Sequence, residues 1–220
     1  PHTHSNKHFA NLMGAFSLNK KQDLNVYFGY SNSYDARNGE ITKEQWAVKD
    51  YSGNPAYIKN DAHSNVRTFR AGLGHTFRFN ESWANTTSVF GTGLISNVSS
   101  AGGWTDKSSV NYGLRSSFDA NFSLSDKILL SGKTGIEWQA QNAQTLGYPM
   151  VVDSFHPTGY NLIGTLRSNQ YTTSKTMALF SQWMLNLPGD LSITAGIGWT
   201  KLGIELNDRF YDANNNTPNN

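Results

Sequence analysis

The chain has 220 residues, only 15% of them charged, with a net charge of +2 and no cysteine. A typical soluble domain carries about 25% charged residues. Here Asn (24), Ser (23), Gly (20) and Thr (18) take that place, and aromatic residues make up 13%. This balance excludes a disulfide framework, a thiolate metal site and a cysteine nucleophile. The lack of any Lys/Arg block removes a nucleic-acid footprint. A mean hydropathy of −0.52 with no long apolar run excludes a helical membrane protein.

In chain order, period-two alternation predicts eight strands and no helix. The first pair, 12–18 and 24–30, flanks the polar turn 19–23 and shows Leu12, Gly14, Phe16 and Leu18, then Leu24, Val26, Phe28 and Tyr30, on one face. The second pair is 66–79 and 83–95 around Asn80-Glu81-Ser82. In the third pair, 109–122 and 127–138, Val110, Tyr112, Leu114, Phe118 and Phe122 alternate with Asn111, Gly113, Arg115, Ser117 and Asp119. The fourth pair, 171–187 and 191–205, turns at Pro188-Gly189-Asp190. Between the pairs lie three connections predicted as long loops, 32–65, 96–108 and 139–170. Short turns at one end and long loops at the other describe an antiparallel transmembrane β-barrel.

The two faces differ in chemistry. One is apolar with no charge along its middle, where Lys or Arg would cost ~2–4 kcal/mol against lipid. The other is Gly, Ser, Thr and Asn with sparse charges. Arg70, Arg115, Asp119, Lys133 and Glu137 on that face are predicted to form a charge network in a wet lumen. Trp83, Phe122 and Trp183 near the short turns, and Tyr30, Tyr112, Trp138 and Trp199 toward the long loops, are predicted as interfacial girdles. A water-soluble β-sandwich binding module also alternates and stands as the rival architecture.

The hairpin Thr176-Met177-Ala178-Leu179-Phe180-Ser181-Gln182-Trp183, the turn Leu187-Pro188-Gly189-Asp190 and the strand Leu191-Ser192-Ile193-Thr194-Ala195-Gly196-Ile197-Gly198-Trp199 resemble the barrel of TonB-dependent outer-membrane receptors. The stretch Tyr27-Phe28-Gly29-Tyr30-Ser31-Asn32-Ser33-Tyr34-Asp35 is similar to strands of the same family. The nearest likeness is to Bacteroidetes-type iron-complex receptors of the ferric citrate group. That resemblance implies a 22-stranded barrel in the bacterial outer membrane, of which residues 1–220 form a central eight-strand segment. It also implies a plug domain that this chain lacks, energy from the TonB complex through that plug, and a small iron chelate as ligand. No cofactor and no nucleic-acid partner are implied. The asparagine-rich end, Asn214-Asn215-Asn216-Thr217-Pro218-Asn219-Asn220, reads as the middle of a loop and fits a fragment. A complete eight-stranded barrel with a structural or adhesive role, and an importer of oligosaccharides, are the alternatives.

No catalytic motif appears: no Gly-x-Ser-x-Gly elbow, no His-Glu-x-x-His, no P-loop. The expectation is therefore a non-enzyme. His2, His4 and His8 form the one histidine cluster and lack a carboxylate partner in sequence. His75 and His156 suggest no role. Exposed loop aromatics are the better ligand candidates, since rings stack on chelate or sugar rings. These are Trp46, Tyr51 and Tyr57 in the first long loop, Trp104 in the second, and Tyr148 and Tyr160 in the third, with Phe155 beside them. Arg37, Arg67 and Arg167 near the loop bases are expected to attract anionic complexes.

Overall fold

The computed structural model describes residues 2–211. Pro1 and the loop-like stretch Asn214–Asn220 lie outside the described residues. Eight long strands form one antiparallel sheet in the order β1(Ser5–Asn19), β2(Gln22–Ala36), β3(His63–Arg78), β4(Trp83–Ser100), β5(Gly103–Ser125), β6(Ile128–Tyr148), β9(Ser168–Leu187) and β10(Leu191–Asp208). Every strand pairs with its sequence neighbour in this sheet. Two-residue strands β7(Met150–Val151) and β8(Leu162–Ile163) make a separate small hairpin inside the last long connection.

The eight predicted strands are present, extended by several residues at the long-loop end. β5 has 23 residues and β6 has 21. The predicted loop 96–108 does not exist. β4 runs to Ser100 and β5 starts at Gly103, with only Ala101-Gly102 between them and Gly103 at φ +130°. Trp104 is thus a strand residue, and Tyr148 ends β6 instead of standing in a loop. The physical reason is that these strands continue past the apolar band. Both faces become polar there and the alternation fades.

The prediction of no helix is also corrected. Within 37–62 the chain forms α1(Lys43–Ala47) and α2(Pro55–Lys59). Thr42 and Gln45 close a capping box, and Asn54 caps the second helix with Pro55 at its first turn. Both are recognisable start signals, hidden by helices of a single turn or so.

Burial separates this fold from a soluble sandwich. A compact 24.4 kDa protein exposes roughly 10,000 Å², whereas this chain exposes 14766 Å². The buried apolar residues are Ala62, Ala120 and Ala140. Among the described residues no second layer covers the sheet, and there is hence no sandwich core. Among the described residues β1 pairs only with β2, and β10 only with β9. The complete eight-stranded barrel, which needs β1 and β10 paired, is not what these strands form. No described helix is long and apolar enough to cross a membrane.

Candidate functional site

Directly paired residues of adjacent strands share a face, so the register sorts every side chain. One row runs Phe16, Leu24, His75, Thr87, Ser116, Ile136, Leu179 and Trp199 across all eight strands. All the apolar positions predicted for β1, β2, β5, β6 and β10 fall on the face of this row, apart from Leu18 beside the β1–β2 turn, where the register shifts. Leu12, Phe28, Phe69, Tyr112, Ile197 and Trp199 are each more than two-fifths exposed on it. No Lys, Arg, Asp or Glu lies on this belt between its two aromatic rims.

Polar residues inside the belt find partners across strands. Thr134 Oγ1 and Ser181 Oγ are 2.7 Å apart. Asn85 Nδ2 donates to Ser116 Oγ (3.1 Å), and Thr87 Oγ1 lies 2.8 Å from the same oxygen. His75 Nε2 and Gln22 Oε1 stand 3.1 Å apart. Close approach of rings to glycines tightens the wall: a Cβ on Gly132 would sit 2.4 Å from the Trp183 ring.

The rims follow the register. Beyond the Phe16–Trp199 row, toward the long loops, Tyr30 and Phe69 lie six residues out, Tyr112 four, Trp138 two and Trp199 none. The level falls by about one residue per strand, so a line through these rings cuts the strands obliquely. Tyr112 and Trp138 meet edge-to-face at 5.7 Å on this rim, and Trp83 and Phe122 at 5.4 Å on the other.

The opposite face carries the predicted charges, arranged as cross-strand pairs. Lys133 Nζ is 3.0 Å from Asp119 Oδ1, and Arg115 Nη1 is 3.7 Å from Glu137 Oε2. Arg115 also stands over the Phe180 ring at 5.2 Å. Arg70 shares the face but joins no ion pair among the described residues. An ion pair not foreseen in the sequence, Arg78 with Asp23, lies on this face by the short turns. Its signal was the register, which sequence alone does not supply.

At the far end the two long connections pack on each other. Lys59 Nζ donates to the carbonyls of Pro157 (2.8 Å) and Gly159 (3.1 Å), and Asn161 Nδ2 to Asn60 Oδ1 (2.8 Å). Ser99, on the belt side beyond the rim, is fully buried and donates to the Asn60 carbonyl at 2.6 Å. Arg167 Nη2 donates to Gly102 O at 2.8 Å, which makes this arginine an anchor between loop and turn.

Of the aromatic candidates, Tyr51 and Tyr160 line one cleft of about 610 Å³ with His2, Ser52 and Ile58. Trp46 meets Tyr51 edge-on at 5.9 Å. Tyr57 is half-buried instead, its ring against Gly39, where a Cβ would lie 2.6 Å from it. Trp104 joins a different cluster: its ring meets His63 at 5.4 Å, and His63 stacks on Tyr34 at 5.2 Å. Tyr148 lies opposite Trp104 in the sheet. His2, His4 and His8 do not converge, for His2 Nε2 turns to Asp61 (3.3 Å) and His4 to the Tyr34 ring. Among the described residues no group of three His, Cys, Asp or Glu is placed to hold a metal ion. In the loop, backbone hydrogen bonds hold the Asp50 and Glu44 carboxyls below their usual range, with help from Ser52 and Thr42 respectively.

No protein-family model matches the chain, and no curated protein does. Solved structures do match. The ferric citrate transporter FecA, unliganded, superposes with a TM-score of 0.81 at 11% identity over 95% of this chain and 31% of its own. Its fold is the barrel wall of such ferric-complex receptors. The ferric-catecholate import receptor Fiu of E. coli K12 in its closed form gives 0.67 at 13% identity, over 94% of this chain and 35% of its own. The ferric preacinetobactin receptor BauA of Acinetobacter baumannii gives 0.70 at 9% identity, over 92% and 34%. The chain spans about a third of the length of each receptor it matches.

Proposed function

We propose that this chain is part of the barrel wall of a TonB-dependent importer in a bacterial outer membrane, and not an enzyme. The observation that carries the reading is the charge-free belt with aromatic rims whose levels follow the strand register. A soluble sheet has no reason to keep that oblique alignment on an exposed face. On this reading the remaining strands and a plug come from the rest of the receptor, and TonB acts through the plug. The cargo is a small ferric chelate, of the kind named for the structural neighbours. Trp46, Tyr51 and Tyr160, exposed around one cleft, are the loop residues proposed to touch it; Tyr57, Trp104 and Tyr148 hold loops and strands in place around them.

The test is uptake of radio-labelled ferric citrate and ferric siderophores by cells that rely on this receptor. Uptake should vanish when the gene or the TonB protein is removed. Iron uptake that persists at its full rate in both strains would overturn the ferric-chelate reading.

A further inference from the structure

The belt side carries a feature that cargo transport does not explain. On β3, β9 and β10 the first charged residues beyond the long-loop rim are Arg67, Lys175 and Lys201, all exposed. Arg67 stands two residues past Phe69, Lys175 two past Met177, and Lys201 two past Trp199. Corrected for the oblique register, the three cations share one level just above the rings. None of them forms an ion pair among the described residues. The acids on this side stand farther out: Asp106 is six residues past Tyr112 and Glu205 six past Trp199. Asp106 is moreover occupied by Trp104 Nε1 (2.7 Å) and Asn97 Nδ2 (2.6 Å).

Below Arg67 the wall is hollow. An apolar groove of about 450 Å³ runs between Tyr30, Phe69, Ile95 and Val110, with Gly93 as its floor and Arg67 at its edge. A Cβ built on Gly93 would meet no atom within 4 Å. Its volume is in the range of small-molecule sites. A groove that is apolar along its length and headed by an unpaired guanidinium fits an amphiphile with an anionic head.

We propose that this face binds a phosphate-bearing lipid of the outer leaflet, one acyl chain lying in the Gly93 groove and its phosphate on Arg67. The planar donor fork of a guanidinium matches a pair of phosphate oxygens. Lys175 and Lys201 extend the same headgroup level around the wall. The inference rests on the membrane reading above.

The probe is lipid A carrying both phosphates, added to the full-length receptor in detergent and counted by native mass spectrometry. Arg67→Gln should lower retention about fivefold, the usual worth of one cation at a membrane surface. Gly93→Leu, whose Cβ enters open space and whose side chain occupies the groove, should lower it at least as much. Dephosphorylated lipid A should be held no better by the native protein than by Arg67→Gln. Equal retention by both variants and the native protein overturns the proposal, as does displacement of the lipid by millimolar inorganic phosphate. Quenching of Trp138 by brominated lipid separates the two readings. Its absence in the native protein removes the membrane reading itself, whereas quenching with unchanged lipid retention removes only this site.

Discussion

Phe16 of β1 and Trp199 of β10 lie in the same cross-strand row, yet they mark opposite rims of the apolar belt. The belt on β10 begins at Leu191, eight residues short of Trp199. Eight residues along a strand are ~27 Å, and seven strand spacings are ~34 Å. Their ratio sets a strand tilt of about 39°, inside the range of membrane barrels. The tilt predicts equal depth for Trp138 and Trp199 despite their different rows. Single-tryptophan versions probed by lipids brominated at graded depths should give matching profiles, and Trp83 should report the other rim. Matching profiles for Trp199 and a Phe16→Trp variant would contradict the tilt.

The Thr134–Ser181 hydroxyl pair lies on the apolar belt. Replacing Ser181 by Ala should strand both Thr134 Oγ1 and Trp183 Nε1, which donates to Ser181 Oγ at 3.0 Å, and cost about 1–3 kcal/mol. Adding Thr134→Val should restore only the Thr134 share of that loss. A double-mutant cycle in urea, followed by the heat-dependent mobility of the folded form, measures the difference.

Gly132 and Gly93 sit on the same face with opposite surroundings. Gly132→Val drives a branched side chain into Trp183 and should destabilise by roughly 1–3 kcal/mol. Gly93→Ala enters open space and should stay within about 0.5 kcal/mol of the native protein. Equal effects in equilibrium unfolding would mean that the Trp183 ring moves aside freely.

The pair Lys133–Asp119, on the face opposite the belt, is half-exposed, with side chains 49% and 33% accessible. Its coupling energy should be below about 1 kcal/mol and shrink with added salt. A salt-independent coupling would show that the pair is shielded from water.

Asp50 and Glu44 both sit below their usual carboxyl range in the first long loop. A depressed carboxyl stabilises its folded surroundings above the unfolded-state value, and the benefit is lost as pH falls through the folded one. Amide exchange in 42–52 should therefore be most protected above about pH 4 and lose protection on further acidification. Flat protection through that range would mean these carboxylates do not order the loop.

Most of the wall was legible from alternation, because one face stays apolar along the belt and imposes a strict period of two. Its limits were set by the same cause. Trp104 and Tyr148 looked like loop residues because β4, β5 and β6 leave the belt and lose the contrast between faces. The turn was written in Ala101-Gly102-Gly103, a signal masked by the surrounding Ser and Asn. Pairing across strands was not legible at all. Asp119 with Lys133 and Arg115 with Glu137 were grouped by face, but Arg78 with Asp23 depended on a register between β2 and β3 that no local pattern announces. The meeting of Tyr51 with Tyr160 came from two loops about a hundred residues apart, beyond any motif.

The pairing order has a consequence for assembly. Each long strand hydrogen-bonds to the one made just before it, so no step waits for a distant partner, and local contacts of this kind favour rapid folding. A finished hairpin leaves one free edge, and the next hairpin needs only that edge as its template. The wall can therefore lengthen two strands at a time as the polypeptide arrives, each addition hiding the edge that would otherwise invite a stray chain.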